Sequence, residues 1–125
     1  MKLHRWVSVA AIGAGLAVGL GAFAAHGLKT ILSEYQLAIF KTGVNYQMWH
    51  SLALLSVCGV ASRLSSRCVA IVSWAWLLGV VAFSGSLYLL ALTSWQWLGP
   101  VTPIGGMSFL VGWAALAIGA WRAKC

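Results

Sequence analysis

Four apolar stretches without an acidic or basic side chain divide the sequence: Trp6 to Ala25, about Val44 to Ala61, Val69 to Thr93 and Ile104 to Trp121. Each approaches the roughly 20 residues that a helix needs to cross a hydrocarbon core about 30 Å thick. A helix is the one single-segment structure that satisfies its own backbone N–H and C=O groups in lipid. The pattern predicts an all-α integral membrane domain over 1–125, a bundle of four transmembrane helices at about 6–25, 44–61, 69–93 and 104–121. Polar residues punctuate the ends. Ser33, Glu34, Tyr35 and Gln36 have the S-x-x-Q form of a capping box, so the second helix is expected to start ahead of its apolar run. Thr102 and Pro103 read as an N-cap followed by the residue favoured at the first helical position. Ser94 to Val101 carries no charge and holds Trp95 and Trp97, the composition of a short interfacial turn.

Composition agrees with a lipid solvent. Of 125 residues, 62% are apolar and 7% charged, whereas about a quarter of the residues of an ordinary soluble domain are charged. Lys and Arg number 8 against a single acid, Glu34, for a net charge of +7. The basic residues lie in pairs at the edges of the apolar runs and form no continuous stripe, so they read as membrane anchors and not as a nucleic-acid surface. Three cysteines, Cys58, Cys68 and Cys125, show no metal-type spacing and are expected as free thiols. With no Asp and one Glu, the carboxylate bases and metal ligands of most hydrolytic chemistry are missing. The expectation is a protein without enzymatic activity, metal or cofactor.

Four crossings place the N-terminus, the second link and the C-terminus on one side of the membrane. That side holds Lys2, Arg5, Arg63, Arg67, Arg122 and Lys124, six bases against Lys29 and Lys41 on the other. The positive-inside rule then puts both termini in the cytoplasm, where thiols stay reduced. Lys2 and Arg5 followed by an apolar run and Ala22-Phe23-Ala24 also imitate a cleavable signal peptide. Against cleavage, the run is long enough to span, and it carries a row of small residues at Gly13, Ala17, Gly21 and Ala25 and a GxxxG pair at Gly15 and Gly19. Small-residue rows let helices approach closely in a membrane. Gly105, Gly106 and Gly112 are candidates for the same packing role on the fourth helix.

Four segments carry a family resemblance. Gly21-Ala22-Phe23-Ala24-Ala25-His26-Gly27-Leu28 ends the first helix, and the stretch from Thr42 to Leu55, with Asn45-Tyr46-Gln47-Met48-Trp49-His50-Ser51, opens the second. Phe83-Ser84-Gly85-Ser86-Leu87-Tyr88 lies in the third, and Val101-Thr102-Pro103-Ile104-Gly105-Gly106-Met107-Ser108 opens the fourth. Together they resemble the YgdD-like family of small bacterial inner-membrane proteins. The resemblance implies four helices in the inner membrane, a retained first helix and no assigned biochemical activity.

By the same topology these segments are the outer halves of all four helices. With the second helix entered near Val44, a rise of about 1.5 Å per residue puts His50 roughly 9 Å below the outer face, with Tyr46 and Gln47 on its own helix surface. Ser84, Ser86 and Tyr88 fall roughly 7 to 14 Å below that face. Ser108 has a matching depth, and His26 closes the first helix at the boundary. The reading is a polar layer of His26, Tyr46, Gln47, His50, Ser84, Ser86, Tyr88 and Ser108. Its plain explanation is interhelical hydrogen bonding. A sharper one is functional, because an ionisable residue inside a membrane is a candidate site, here a proton relay or a holder of a polar ligand group. A heme or metal held by His26 and His50 would need the two imidazoles to meet. Trp6, Trp95, Trp97 and Trp121 read as interfacial anchors, Trp74, Trp76 and Trp113 as lipid-facing or packed, and Lys29 and Lys41 as snorkelling. The expected role is a structural or accessory membrane component, as a homo-oligomer or within a complex. The alternative is a small carrier or channel for a proton or polar solute.

Overall fold

The structure, a computed structural model, describes residues 1–123. Lys124 and Cys125, which entered the charge and thiol readings, lie outside the described residues. Among the described residues there is no strand. Four long helices follow one another, α1 (Leu3–Leu28), α2 (Glu34–Gly59), α3 (Ser66–Thr93) and α4 (Val101–Arg122). Three apolar helical segments, α1, α3 and α4 with the turn before it, are long and apolar enough to cross a membrane. At 26 residues α2 has the length, but Glu34, Gln36, Lys41, Thr42, Asn45, Gln47 and His50 dilute its first two thirds.

The helix ends follow local chemistry at three of the boundaries. Ser33 caps α2 through a complete capping box, its Oγ accepting from the Gln36 amide at 3.1 Å while the Gln36 side chain accepts from the Ser33 amide at 3.0 Å. Ser65 caps α3 by accepting from the Cys68 amide at 3.2 Å. Ser94 ends α3 in the left-handed region, φ 56°. The start of α4 departs from the expectation. The helix begins at Val101, with Pro100 as its flanking residue and no side-chain cap, so Thr102 and Pro103 are its second and third residues. The Thr102 hydroxyl is engaged with Ser86 of α3 instead. Two wide π turns interrupt the α geometry, at Ala24–Leu28 and Val80–Ser84.

Helices α1 and α2 pack as one antiparallel pair and α3 and α4 as another, with α2 and α3 in contact between them. The central place of α3 shows in its burial: 44% of its most apolar stretch is covered, against 17% for α1 and for α4. The N-terminus, the α2–α3 link and the last turn of α4 gather at one end, where Met1 and Leu3 share a cleft with Ser62 and Ser66, and Arg122 shares another with Arg63 and Arg67. We call this the arginine end, and the opposite one the link end. An apolar cluster near the arginine end contains Trp6, Leu54, Val57, Val72, Trp76 and Phe109. A smaller one near the link end contains Ala24, Leu28, Phe40 and Ala91. Trp6 is therefore no surface anchor: it is 2% exposed and packs edge-on against Trp74, ring centroids 5.1 Å apart. Trp95, Trp97 and Trp121 are exposed.

Glycines set the closeness of both pairs. On α1, an added Cβ at Gly13 would lie 2.5 Å from Ser51 Oγ and one at Gly21 3.4 Å from Val44, while Ala17 is buried. Gly15 and Gly19 differ, since nothing lies within 4 Å of a Cβ at either. The GxxxG pair thus faces away from the other helices, together with the exposed Ile12, Leu16 and Phe23. Between α3 and α4 large residues enter glycine gaps from both sides. Trp76 lies on Gly112 and Phe83 on Gly105, and Phe109 reciprocally lies on Gly79. Gly106 makes only ordinary contact with Phe83, at 3.8 Å.

Candidate functional site

Apart from His26, and from Ser86 and Ser108, which bridge α3 and α4, the polar residues singled out in the sequence divide into two groups. The first group is built on Gln47. Its Nε2 donates to the Gly13 carbonyl of α1 at 2.8 Å, and its Oε1 accepts from the Tyr88 hydroxyl of α3 at 2.8 Å. One amide thus ties three helices. One turn away, Ser84 Oγ donates to the Gly43 carbonyl at 2.7 Å. Gly43 must be small there, because a Cβ would sit 2.8 Å from the Tyr88 ring. Ser84 is the last residue of the π turn in α3, and Ser84 and Tyr88, four apart, present one face to α2.

Ser86 points the other way, toward α4. Its hydroxyl donates to the Phe83 carbonyl at 2.9 Å, so the 2.6 Å contact with Thr102 is made with Thr102 as donor. Ser108 Oγ donates to the Ala75 carbonyl of α3 at 2.6 Å. Both bonds fasten α3 to α4.

His50 forms the second group. The Trp113 indole N–H of α4 donates to its Nε2 at 3.0 Å, which leaves Nδ1 to carry the proton and donate to the Tyr46 carbonyl at 2.8 Å. The contacts select one neutral tautomer and occupy both ring nitrogens. Phe109 stacks on the imidazole at 3.6 Å between centroids, 11° from parallel, and Trp76 meets it edge-on at 5.9 Å. Tyr46 joins through its ring, 4.5 Å from that of Phe83 and 6.1 Å from the imidazole. His50 is 5% exposed. An open recess of about 390 Å³ runs along this seam, lined by Tyr46, His50, Pro103, Gly106, Phe109 and Trp113 among others.

Along α2, His50 lies sixteen residues after Glu34 and nine before Gly59, roughly 24 Å and 14 Å along the helix. Its partner Trp113 is twelve residues into α4 and nine from the end, so the pair sits at mid-helix. His26 does not join the layer: it is exposed in the π turn ending α1, thirteen residues or roughly 20 Å of helix beyond the Gly13 that meets Gln47. The two imidazoles do not meet, and no group of three metal-ligating side chains occurs among the described residues.

Sequence reasoning missed Trp113, Phe109, Thr102 and Gly43 as partners of the layer. A usable signal was present in matching i,i+4 pairs, Tyr46 and His50 on α2 and Phe109 and Trp113 on α4, which let two rings of one helix interleave with two of another. The carbonyls of Gly13, Gly43 and Ala75 leave no trace in side-chain chemistry.

With this arrangement in view, the comparison with known proteins is informative. A family model described as a protein of unknown function (DUF423) matches residues 20–106. A UPF0382 membrane protein of Haemophilus influenzae is 40% identical over 121 residues, 97% of each chain. The chain belongs to this family. A UPF0382 membrane protein of Staphylococcus saprophyticus is 45% identical over 117 residues, 94% of this chain and 97% of the relative. The UPF0382 inner membrane protein YgdD of Escherichia coli K12 is 42% identical over 118 residues, 92% of this chain and 88% of the relative. No solved structure matches. The span matched by the family model takes in Gln47, His50, Ser84, Ser86 and Tyr88 and stops before Ser108, Phe109 and Trp113.

Proposed function

We propose that this protein is a four-pass component of the bacterial inner membrane, with a retained first helix and both termini cytoplasmic, and that its role is structural or accessory and not enzymatic. The observation that carries the reading is the use of the polar layer. Gln47, His50, Ser84, Ser86, Tyr88 and Ser108 all make hydrogen bonds to groups on other helices, so the side chains best suited to handle a solute are occupied in holding the helices together. Five bases at the arginine end, Lys2, Arg5, Arg63, Arg67 and Arg122, support a cytoplasmic placement of that end, and the relative named an inner membrane protein supports the membrane. The row of Ile12, Gly15, Leu16 and Gly19, open on the outside of α1, supports association with a second copy or another membrane protein.

The alternative, a carrier for a proton or small polar solute, draws on the recess beside His50. Tyr46 and His50 line it, whereas Ser84 and Ser86 are bonded elsewhere. Proteoliposomes decide between the two. The structural role predicts no pH-driven proton flux above that of empty vesicles, with His50→Leu changing stability alone. Flux by the wild type that His50→Leu abolishes would establish the carrier in its place. The intact mass of the protein isolated from membranes tests retention of the first helix.

A further inference from the structure

The arginine end contains a second recess, an open one of about 500 Å³, bordered by the α2–α3 link, the first turn of α3 and the last turn of α4. Arg63, Arg67 and Arg122 line it from these three segments, with the hydroxyl residues Ser62 and Ser65 beside them. Ile71, Ala115 and Ile118 form its wall on the side of the helix interiors, four to seven residues from the nearest arginine, or roughly 6 to 10 Å deeper. Near the arginines the floor is closed by Cys68 against Gly119, which lacks the Cβ that would collide with the thiol. The recess is therefore cationic at its mouth and hydrocarbon along its depth. The single acidic side chain of the protein, Glu34, begins α2 at the opposite end. Three like charges thus line one opening with no carboxylate side chain to offset them, an arrangement that favours an anion among them.

We infer that this recess binds an anionic phospholipid, its phosphate held by Arg63, Arg67 and Arg122 and an acyl chain laid against Ile71, Ala115 and Ile118. Guanidinium groups present paired N–H donors matched to phosphate oxygens. The apolar wall sets a lipid apart from free phosphate, which would gain nothing from it. The inference stands whichever side of the membrane the arginine end faces and whatever the polar layer does.

Native mass spectrometry of the full chain in detergent, offered phosphatidylglycerol and phosphatidylcholine with identical acyl chains, tests it. Preferential retention of phosphatidylglycerol is expected. Arg63→Gln, Arg67→Gln and Arg122→Gln should each weaken it by about fivefold, and the triple variant should abolish the preference. The pair Lys2→Gln and Arg5→Gln, at the same end but outside the recess, should leave it unchanged. The triple Arg→Lys variant keeps the charge without the planar fork and should retain an intermediate preference, and circular dichroism verifies that every variant is helical. Undiminished retention by the triple Gln variant, an equal loss in the Lys2 and Arg5 pair, or displacement of the lipid by millimolar inorganic phosphate would overturn the assignment.

Discussion

Ser73 and Trp76 stand one turn apart on α3, both buried, and neither the Ser73 hydroxyl nor the Trp76 indole N–H has a hydrogen-bond partner among the described residues. A buried polar group without a partner keeps its desolvation cost and returns nothing. Ser73→Ala is therefore expected to leave the unfolding midpoint in detergent unchanged or to raise stability by up to about 1 kcal/mol. Gln47 is the opposite case. Gln47→Leu removes bonds to both Gly13 and Tyr88, and at about 0.6 kcal/mol per interhelical bond in a membrane it should cost about 1 kcal/mol, read as a lower midpoint. Double-mutant analysis of Gln47→Leu with Tyr88→Phe should return a coupling of about half that, because one of the two bonds is shared. At this scale the sequence revealed which side chains are polar inside an apolar span, and hence which need partners. It did not reveal the partners, because several are backbone carbonyls and because Trp113, which looks like any membrane tryptophan, becomes the donor to His50 only when α4 crosses α2.

The elements repeat this division. The capping box at Ser33 and Gln36 is local, made within four residues, and could be read from the string. The start of α4 could not: Thr102 and Pro103 carry the composition of a helix start, but the helix begins at Val101 and the Thr102 hydroxyl bonds Ser86 of α3 instead of capping. The glycine rows were visible on α1 and α4, yet their use was decided in three dimensions. Gly13 and Gly21 meet α2, whereas Gly15 and Gly19, equally regular in sequence, meet nothing among the described residues. Gly15→Leu should therefore leave the midpoint of the isolated protein within about 0.5 kcal/mol of wild type. Gly105→Ala should lower it by about 1 to 3 kcal/mol, since its new methyl group meets the Phe83 backbone and no side-chain rotation relieves the collision. Gly79 and Gly119, not singled out in the sequence, also have close neighbours, but these are the Phe109 ring and the Cys68 side chain and not backbone.

For the molecule as a whole, a reporter active only in the periplasm and fused to the C-terminus should be silent, and one fused within the 29–33 link should be active. The reverse pattern would turn the protein over and place the arginine end outside. What the sequence by itself determined was the solvent and the material: long uncharged apolar runs with bases at their edges can satisfy their backbone and bury their side chains only as helices in lipid, and that follows from composition and length without knowing any contact. Tertiary structure alone decided which helix faces meet. The choice depends on the small gaps and large rings of two helices agreeing in register, as Trp76 does with Gly112 and Phe83 with Gly105. It also depends on which backbone carbonyls those agreements bring within reach of Gln47, Ser84 and Ser108. The same crossings set His50 beside Trp113 at mid-helix and gather three arginines from distant parts of the chain around one opening, relations of distance that no single stretch of residues contains.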